Sequence, residues 1–243
     1  MVWCRMKNTH SSLQFGRRIQ QRTLRLLQDG GQPSWSQGGE DIIIGCYLPR
    51  GGRACEYLDI GAGEPKQGSN SYRFYKAGSH GILIEANPFL VHKLRKSRPK
   101  DKVIQAACGE APRTMPFHIF DTWQLSTADP RRLKTLVDEG IRPEKTIAVE
   151  GITIALLNVT ADPSSATFLS VDVEGNDLDV LRGNNWDTYC PRVVCVEDFE
   201  FDATSDSEIH TLLTERGYKL EGRALYSSIY VHEEGLVARS LGI

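Results

Sequence analysis

Several features that define other protein classes are missing from this chain of 243 residues. None of its six cysteines belongs to a Cys-x-x-Cys pair, so neither a zinc site nor a dithiol redox motif is indicated. The net charge of −2 provides no global field for nucleic acid. No stretch approaches the ~18 apolar residues that a membrane span needs. We therefore expect a cytoplasmic protein with reduced, buried thiols and no nucleic-acid partner.

Two phosphate-binding signatures are also missing. No Gly-x-x-x-x-Gly-Lys-[Ser/Thr] motif occurs, which argues against a P-loop. Gly61 and Gly63 match the first two glycines of the dinucleotide fingerprint, but Lys66 stands where the third glycine is required. Pro65 also lies inside this turn. A helix start for a pyrophosphate is therefore not predicted here.

The most informative segment that is present is 56–63, Glu-Tyr-Leu-Asp-Ile-Gly-Ala-Gly. It predicts a short buried strand that carries Asp59 and runs into a turn in which Gly61 and Gly63 allow close backbone approach to a ligand. Glu85 ends the next predicted strand, where an acid can accept hydrogen bonds from a ribose diol. We interpret the first strand with its glycine turn, together with Glu85, as an adenosine-type cofactor site. The alternative is an ordinary tight turn after a core strand.

Strands alternate with helices along the chain, which predicts an α/β fold with a Rossmann-like, mostly parallel sheet and helices on both faces. An antiparallel hairpin is expected at the C-terminal end. The predicted strands are 55–60, 81–85, 102–106, 115–120, 167–171 and 192–196, and the hairpin is formed by 218–220 and 228–231. The predicted helices are 40–48, 69–77, one that begins at Asn87-Pro88, 130–139, 176–183 and 206–216.

The predicted domain organisation is a cap formed by a basic helix and linker over 1–35, followed by the main domain over 36–243. Residues 1–28 carry six basic side chains and no acid. We favour a docked amphipathic helix there over a mitochondrial presequence. Residues 121–150 show no clear period and are expected to form an insertion on the substrate side.

Acidic residues follow two further predicted strands. Asp172 and Glu174 come at the end of one, and Glu197 and Asp198 at the end of the next. Parallel strand ends meet at one edge of a sheet, so these side chains should converge. Such a group suits a cationic sulfonium, a general base or a divalent metal. Helix capping is the alternative, and we favour it for Asp177 and Asp179.

The chain resembles S-adenosyl-L-methionine (SAM)-dependent methyltransferases of the FkbM type. The resemblance is carried by 57–62, 69–75, 81–88, 172–175 with 181–183, and by 36–41 for one branch of the family. It implies a Rossmann-like sheet and methylation, usually of an oxygen, on sugars or secondary metabolites. One departure is Gly63-Glu64-Pro65, where the family more often has Asn or His.

The resemblance also implies roles for individual residues. The turn after the first strand would line the methionine part of SAM, Glu85 would hold the ribose, and Ser69 and Asn70 would open a helix facing the methionine carboxylate. Gln105 and Ala106 would flank the adenine. The full cofactor-binding set is Asp59, Gly61, Ala62, Gly63, Ser69, Asn70, Glu85, Ala86, Gln105, Ala106 and Asp172.

Methyl transfer to an aliphatic hydroxyl needs a base or a metal to help remove the proton. The candidate catalytic residues are Asp172, Glu174, Glu197 and His118; Glu174 is our predicted base and His118 its rival. The expected cofactor is SAM, with Mg²⁺ as an optional second one, and the acceptor is a small molecule or glycan. Two other hypotheses are a Mg²⁺-dependent phenol methyltransferase with Asp172 and Asp198 as ligands, and an inactive nucleoside-binding partner subunit. The sequence indicates no oligomeric state.

Overall fold

The computed structural model describes residues 33–48, 55–198 and 207–235. The predicted basic helix over 1–28 lies outside the described residues. In the described part of the chain, no helix is both long enough and apolar enough to cross a membrane.

Within these residues, ten strands form two sheets. The larger sheet has seven strands in the order β3-β2-β1-β7-β8-β10-β9. Its first five positions are paired in parallel, and β10 is antiparallel to both β8 and β9. This confirms the predicted mostly parallel sheet and its C-terminal hairpin. The strands are β1 Glu56–Ile60, β2 His80–Glu85, β3 Lys102–Gln105, β4 Ala107–Cys108, β5 Thr114–Ile119, β6 Lys145–Ile152, β7 Thr167–Val171, β8 Val193–Glu197, β9 Tyr218–Ala224 and β10 Ser227–His232.

The strand order changes direction at β1. From β1 the chain continues outward to β2 and β3, and it returns on the other side of β1 with β7 and β8. Open α/β sheets bind ligands at the carboxyl ends of the strands beside such a switch point. The topology therefore places the candidate site at the ends of β1 and β7.

Helices cover both faces of the large sheet, as predicted. The helices of the described residues are α1 Glu40–Tyr47, α2 Tyr72–Lys76, α3 Pro88–Ser97, α4 Pro130–Asp138, α5 Asp177–Arg182 and α6 Glu208–Glu215. Apolar residues of α1, α2 and α3 pack with Tyr57 and Phe168 on one face. Those of α5 and α6 pack with Leu58 and Leu169 on the other. Successive strand residues thus serve opposite cores, as the period of two requires.

Prolines mark two of the helix starts. Asn87 Oδ1 accepts a hydrogen bond from Phe89 N at 3.0 Å, and Asp129 Oδ1 accepts one from Arg131 N at 2.8 Å. In both cases a proline occupies the first turn, where its missing N–H costs nothing. The predicted N-cap at Asn87 is confirmed.

A smaller sheet, in the order β4-β6-β5, lies outside the seven-stranded one. The predicted helix near 130–139 is present as α4, and the 121–150 segment, for which no strand was predicted, also contains the start of β6 at Lys145. β6 alternates between exposed and inward residues, and one of its inward positions is Gly151. An apolar residue at the exposed position Ala148 and a glycine at the inward position Gly151 weaken the alternation that Ile147 and Val149 begin.

A buried ion pair joins three elements beneath the candidate site. Arg98, at the end of α3, is fully buried, and its Nε lies 2.7 Å from Asp101 Oδ2. Its Nη2 donates to Tyr57 Oη at 3.0 Å and to Ser71 Oγ at 2.9 Å. Ser71 in turn donates to the Asp59 carboxylate. The network therefore ties α3 to β1 and to the segment before α2.

We expect Arg98→Met to lower the free energy of unfolding by about 3–5 kcal/mol, because it leaves the Asp101 carboxylate buried without its partner. Urea unfolding measures the loss. Arg95→Met, an exposed change on the same helix, should stay within about 0.5 kcal/mol. The double variant Arg98→Met/Asp101→Asn should recover part of the loss, and a double variant that is no more stable than the single one would contradict this explanation.

Candidate functional site

A cleft opens at the carboxyl ends of β1, β2 and β7, and part of it is open to solvent. The residues that line it include Gly61, Ala62, Gly63, Glu85, Ala86, Ala106, Ala107, Phe117, Trp123, Asp172 and Glu174.

Gly61 brings the turn after β1 into contact with the end of β7. Its φ is +78°, and a Cβ at this position would lie 1.7 Å from the Asp172 carbonyl oxygen. Asp172 N donates to Ile60 O at 3.0 Å, which fixes the two segments side by side. A residue without Cβ is required on both steric and conformational grounds.

Gly63 meets an aromatic ring instead of backbone. Its φ is +59°, and a Cβ there would approach the Trp123 ring to 2.6 Å. Trp123 lies in a short 3₁₀ turn, Trp123–Leu125, that follows β5. Its ring therefore covers the glycine turn from the side of the smaller sheet.

The Glu85 carboxylate bonds two backbone segments that border the cleft. Its Oε2 accepts a hydrogen bond from Gly63 N at 2.9 Å, and its Oε1 accepts one from Asn87 N at 2.7 Å. Burial raises the pKa of this carboxyl group, and the backbone donors of Asn87 and Gly63 oppose the rise. A carboxylate offers about four acceptor sites, so capacity for further donors remains on the cleft side.

Three carboxyl groups gather at the ends of β7 and β8. One oxygen each from Asp172, Glu174 and Glu197 lies within 4.8 Å of the other two. Asp172 and Glu174 line the cleft, and Glu174 and Glu197 line a wider pocket next to it. We call these three residues the acid cluster. The predicted convergence of strand-end acids is present in the structure.

The backbone at Glu174 is held in an unusual conformation. Its φ is +56°, a value that costs a non-glycine residue about 1–3 kcal/mol unless its surroundings hold it. The Asp177 carboxylate accepts hydrogen bonds from Val173 N at 3.0 Å and Gly175 N at 3.1 Å. Thr127 Oγ1 donates to the Glu174 carbonyl at 2.9 Å. Asp177, in the first turn of α5, thus stabilises the turn that precedes this helix.

Crowding raises the proton affinity of the acid cluster. Burial, followed by the charge of Glu174, raises the pKa of Asp172 well above its ordinary value. Burial raises the pKa of Glu174 to about 7, although the guanidinium of Arg132 opposes the rise. Burial and the charge of Asp172 also raise the pKa of Glu197. The three groups therefore carry charge only at a cost, which a bound cation or a proton would reduce.

A sequence profile described as the methyltransferase FkbM domain matches residues 59–220, which is well over half of the chain. The chain belongs to the FkbM methyltransferase domain family. The match covers both the glycine turn and the acid cluster. Among curated proteins, no sequence matches this chain.

Solved structures similar to this FkbM domain are distant in sequence. A TehB-like SAM-dependent methyltransferase from Corynebacterium glutamicum is 14% identical, with a TM-score of 0.42 over 89% of this chain and 97% of that one. Fibrillarin from Aeropyrum pernix, solved with natively bound S-adenosyl-L-methionine, is 12% identical, with a TM-score of 0.40 over 79% and 73%. A SAM-dependent methyltransferase from Aquifex aeolicus is 10% identical, with a TM-score of 0.36 over 80% and 89%. These values carry no inference about a substrate.

Three predicted cofactor residues of the FkbM domain lie behind the cleft instead of lining it. Asp59 is buried against Ser71, and burial raises the pKa of its carboxyl group. Ser69 and Asn70 do not open a helix as predicted, because α2 begins at Tyr72. Ser69 N already donates to Trp35 O at 3.1 Å, and Asn70 Nδ2 donates to Ser170 Oγ at 3.1 Å. These side chains support the turn from the protein interior.

Two other predicted residues point elsewhere. Gln105, at the end of β3, is exposed and does not line the cleft, whereas Ala106 does. His118 follows Phe117 on β5, and only Phe117 faces the cleft because neighbouring strand residues alternate. The His118 ring bonds Thr146 Oγ1 at 2.9 Å. The structure therefore argues against His118 as the rival base.

The two acidic residues at the end of β8 have different surroundings. Glu197 belongs to the acid cluster, but the Asp198 carboxylate accepts a hydrogen bond from Ser207 Oγ at 2.6 Å. The structure therefore brings Glu197 close to Asp172 and does not place Asp198 in the acid cluster, as the predicted pairing of Asp172 with Asp198 as metal ligands would require. Sequence reasoning missed Arg132, whose Nη2 lies 3.7 Å from Glu174 Oε2, since nothing local to α4 indicates which strand end it reaches.

We expect Gly61→Ala to be more destabilising than Gly78→Ala, a matched control. Gly78 also has positive φ, +105°, but no described atom lies within 4 Å of a Cβ placed there. In both variants the alanine must adopt a positive φ, which lowers the free energy of unfolding. Only Gly61→Ala adds the clash with the Asp172 carbonyl group. The added loss should be about 1–3 kcal/mol, measured by urea unfolding. Equal losses would show that the turn and the end of β7 are not in the close contact described.

Proposed function

We propose that this FkbM domain is a SAM-dependent methyltransferase that transfers a methyl group to a hydroxyl oxygen of a small molecule or glycan. The observation that carries the proposal is that the glycine turn, Glu85 and two members of the acid cluster, Asp172 and Glu174, line the same cleft. A cofactor-binding segment and a group of acids are thereby adjacent at the topological switch point, where such sheets bind ligands.

The lining of the cleft fits SAM. The free acceptor capacity of the Glu85 carboxylate suits the two ribose hydroxyls. The side chains of Ala106 and Phe117 give an apolar wall for the adenine. The backbone at Gly61 and Gly63 leaves room for the methionine part. The departure from the family pattern at Glu64 does not obstruct this arrangement, since its side chain pairs with Lys93.

SAM supplies an activated methyl group on a sulfonium. The acceptor oxygen would form a bond to the methyl carbon as the carbon–sulfur bond breaks, leaving S-adenosylhomocysteine. The hydroxyl proton has to go to a nearby group, and Glu174 remains our predicted base because it lies on both the cleft and the wider pocket. Holding donor and acceptor in line can supply about 7–11 kcal/mol of the barrier.

The wider pocket is the proposed acceptor site, and we call it the outer pocket. Amide, aromatic and charged side chains line it: Trp35, Gln37, Lys66, Gln67, Trp123, Gln124, Arg132 and Tyr226, with Glu174 and Glu197 at its inner end. Amides can hydrogen-bond hydroxyl groups, and aromatic rings can pack on the apolar face of a sugar. This lining supports a polyhydroxylated acceptor.

The first functional prediction concerns Glu85. Glu85→Gln should weaken SAM binding about 10- to 150-fold, equivalent to about 1.4–3 kcal/mol, because the hydrogen bonds lose their charged acceptor. Isothermal titration calorimetry with SAM measures the change, and Glu139→Gln, an exposed glutamate, is the matched control. Wild-type affinity in a normally folded Glu85→Gln protein would remove Glu85 from the cofactor site.

The second functional prediction concerns Glu174. Glu174→Gln keeps the side-chain shape but removes the charge, so single-turnover methylation should fall by about 10²–10⁴-fold while SAM affinity is unchanged. The acceptor is first identified by a mass gain of one methylene in a panel of glycans, polyketides and RNA. Glu215→Gln, exposed on α6, is the control. Normal turnover in Glu174→Gln would exclude it as the base, and methylation of RNA alone would contradict the proposed acceptor class.

A further inference from the structure

We propose that the acid cluster binds one divalent cation, Mg²⁺ or Mn²⁺, between the cofactor cleft and the outer pocket. The role of the cation in acceptor binding rests on the proposed function, whereas the site itself rests on the geometry of Asp172, Glu174 and Glu197.

Glu197 provides the observation that points to a ligand. The residue is 8% exposed, and its Oε2 is buried without a hydrogen-bond partner among the described residues. A buried carboxylate oxygen that makes no hydrogen bond is costly, and most such atoms in folded proteins are satisfied by protein, water or an ion. This residue belongs to the same group of oxygens that lie within 4.8 Å of one another.

The spacing of these oxygens suits a shared cation. Oxygens bound to Mg²⁺ lie about 2.0–2.1 Å from the ion, and larger cations extend this to about 2.6 Å. Two ligands on opposite sides of one ion are therefore separated by about 4–5 Å. The separation in the acid cluster, 4.8 Å or less, does not exceed this distance.

The balance of charge also favours a cation. Arg132 pairs with Glu174 at 3.7 Å, which offsets one of the three negative charges when all are ionised. Asp177 lies close by but its carboxylate is taken up by two backbone N–H groups. A divalent ion would offset the remaining two charges. A proton shared within the cluster is the competing explanation, and it predicts no metal binding.

The ligand set selects the class of ion. Three carboxylate oxygens and no nitrogen or sulfur are hard ligands, which Mg²⁺ and Mn²⁺ prefer. Octahedral coordination would leave positions for water or for an oxygen of the acceptor. Glu174 could bind through one oxygen and keep its second oxygen for the acceptor proton, so the cation and the predicted base are compatible.

The test is a Mn²⁺ titration of the full chain, without SAM or acceptor, followed by electron paramagnetic resonance of the free ion. We expect one site per chain. Glu197→Gln and Asp172→Asn should each weaken binding by about ten-fold or more, since each removes a charged ligand. Glu208→Gln is the matched control, because Glu208 lies near the cluster but pairs with Arg182 at 2.6 Å. Thermal melts establish that each variant is folded.

Two results would overturn the inference: absence of a Mn²⁺ site in the wild-type chain, or equal binding in Glu197→Gln and wild type. If the wild type binds no Mn²⁺ and Glu197→Gln melts at a higher temperature, the cluster holds a proton instead. SAM titrations of the same proteins separate this outcome from the proposed function. Loss of the metal site with normal SAM binding would refute only the cation, whereas absence of SAM binding would refute the proposed function.

Discussion

The contact between Gly61 and the carbonyl group of Asp172 is the constraint on which the candidate site depends. β1 and β7 are adjacent parallel strands, and their following segments must leave the sheet without colliding. Because Gly61 has no Cβ, the turn can pass directly against Asp172. This packing makes one cleft out of two segments more than 100 residues apart in the sequence, one that would hold the cofactor and one that carries the acids.

The interior side of the turn depends on a second arrangement. Arg98, Asp101 and Tyr57 form a buried network that extends through Ser71 to Asp59. The acid of the Asp-x-Gly-x-Gly motif is therefore oriented into the protein and not toward the cleft. Its position supports a scaffolding role beneath the glycine turn, while Glu85 provides the carboxylate that faces the ligand space. Asp59 and Glu85 thus have different roles, because the Asp59 side chain points into the core.

The prediction from sequence succeeded where the information was local. Apolar strands, the Asn87-Pro88 helix start and the acids after β7 and β8 all have short-range signals, and the structure has them at the predicted places. The failures concern side-chain direction and distant packing. The direction of His118 and the exposure of Gln105 depend on strand register, which the residue types do not reveal. The approach of Arg132 to Glu174 depends on how α4 lies against the segment that follows β7, and no pattern within α4 encodes that.

We propose that the turn after β1 and the acid cluster serve one cofactor and one acceptor, held in the cleft and in the adjoining outer pocket. A crystal structure of the full chain with S-adenosylhomocysteine tests this arrangement. We expect the ribose hydroxyls about 2.7–3.0 Å from the Glu85 carboxylate and the sulfur atom directed toward Asp172 and Glu174. A ligand bound away from Glu85, or with its sulfur on the far side of Trp123 from the acid cluster, would refute the arrangement.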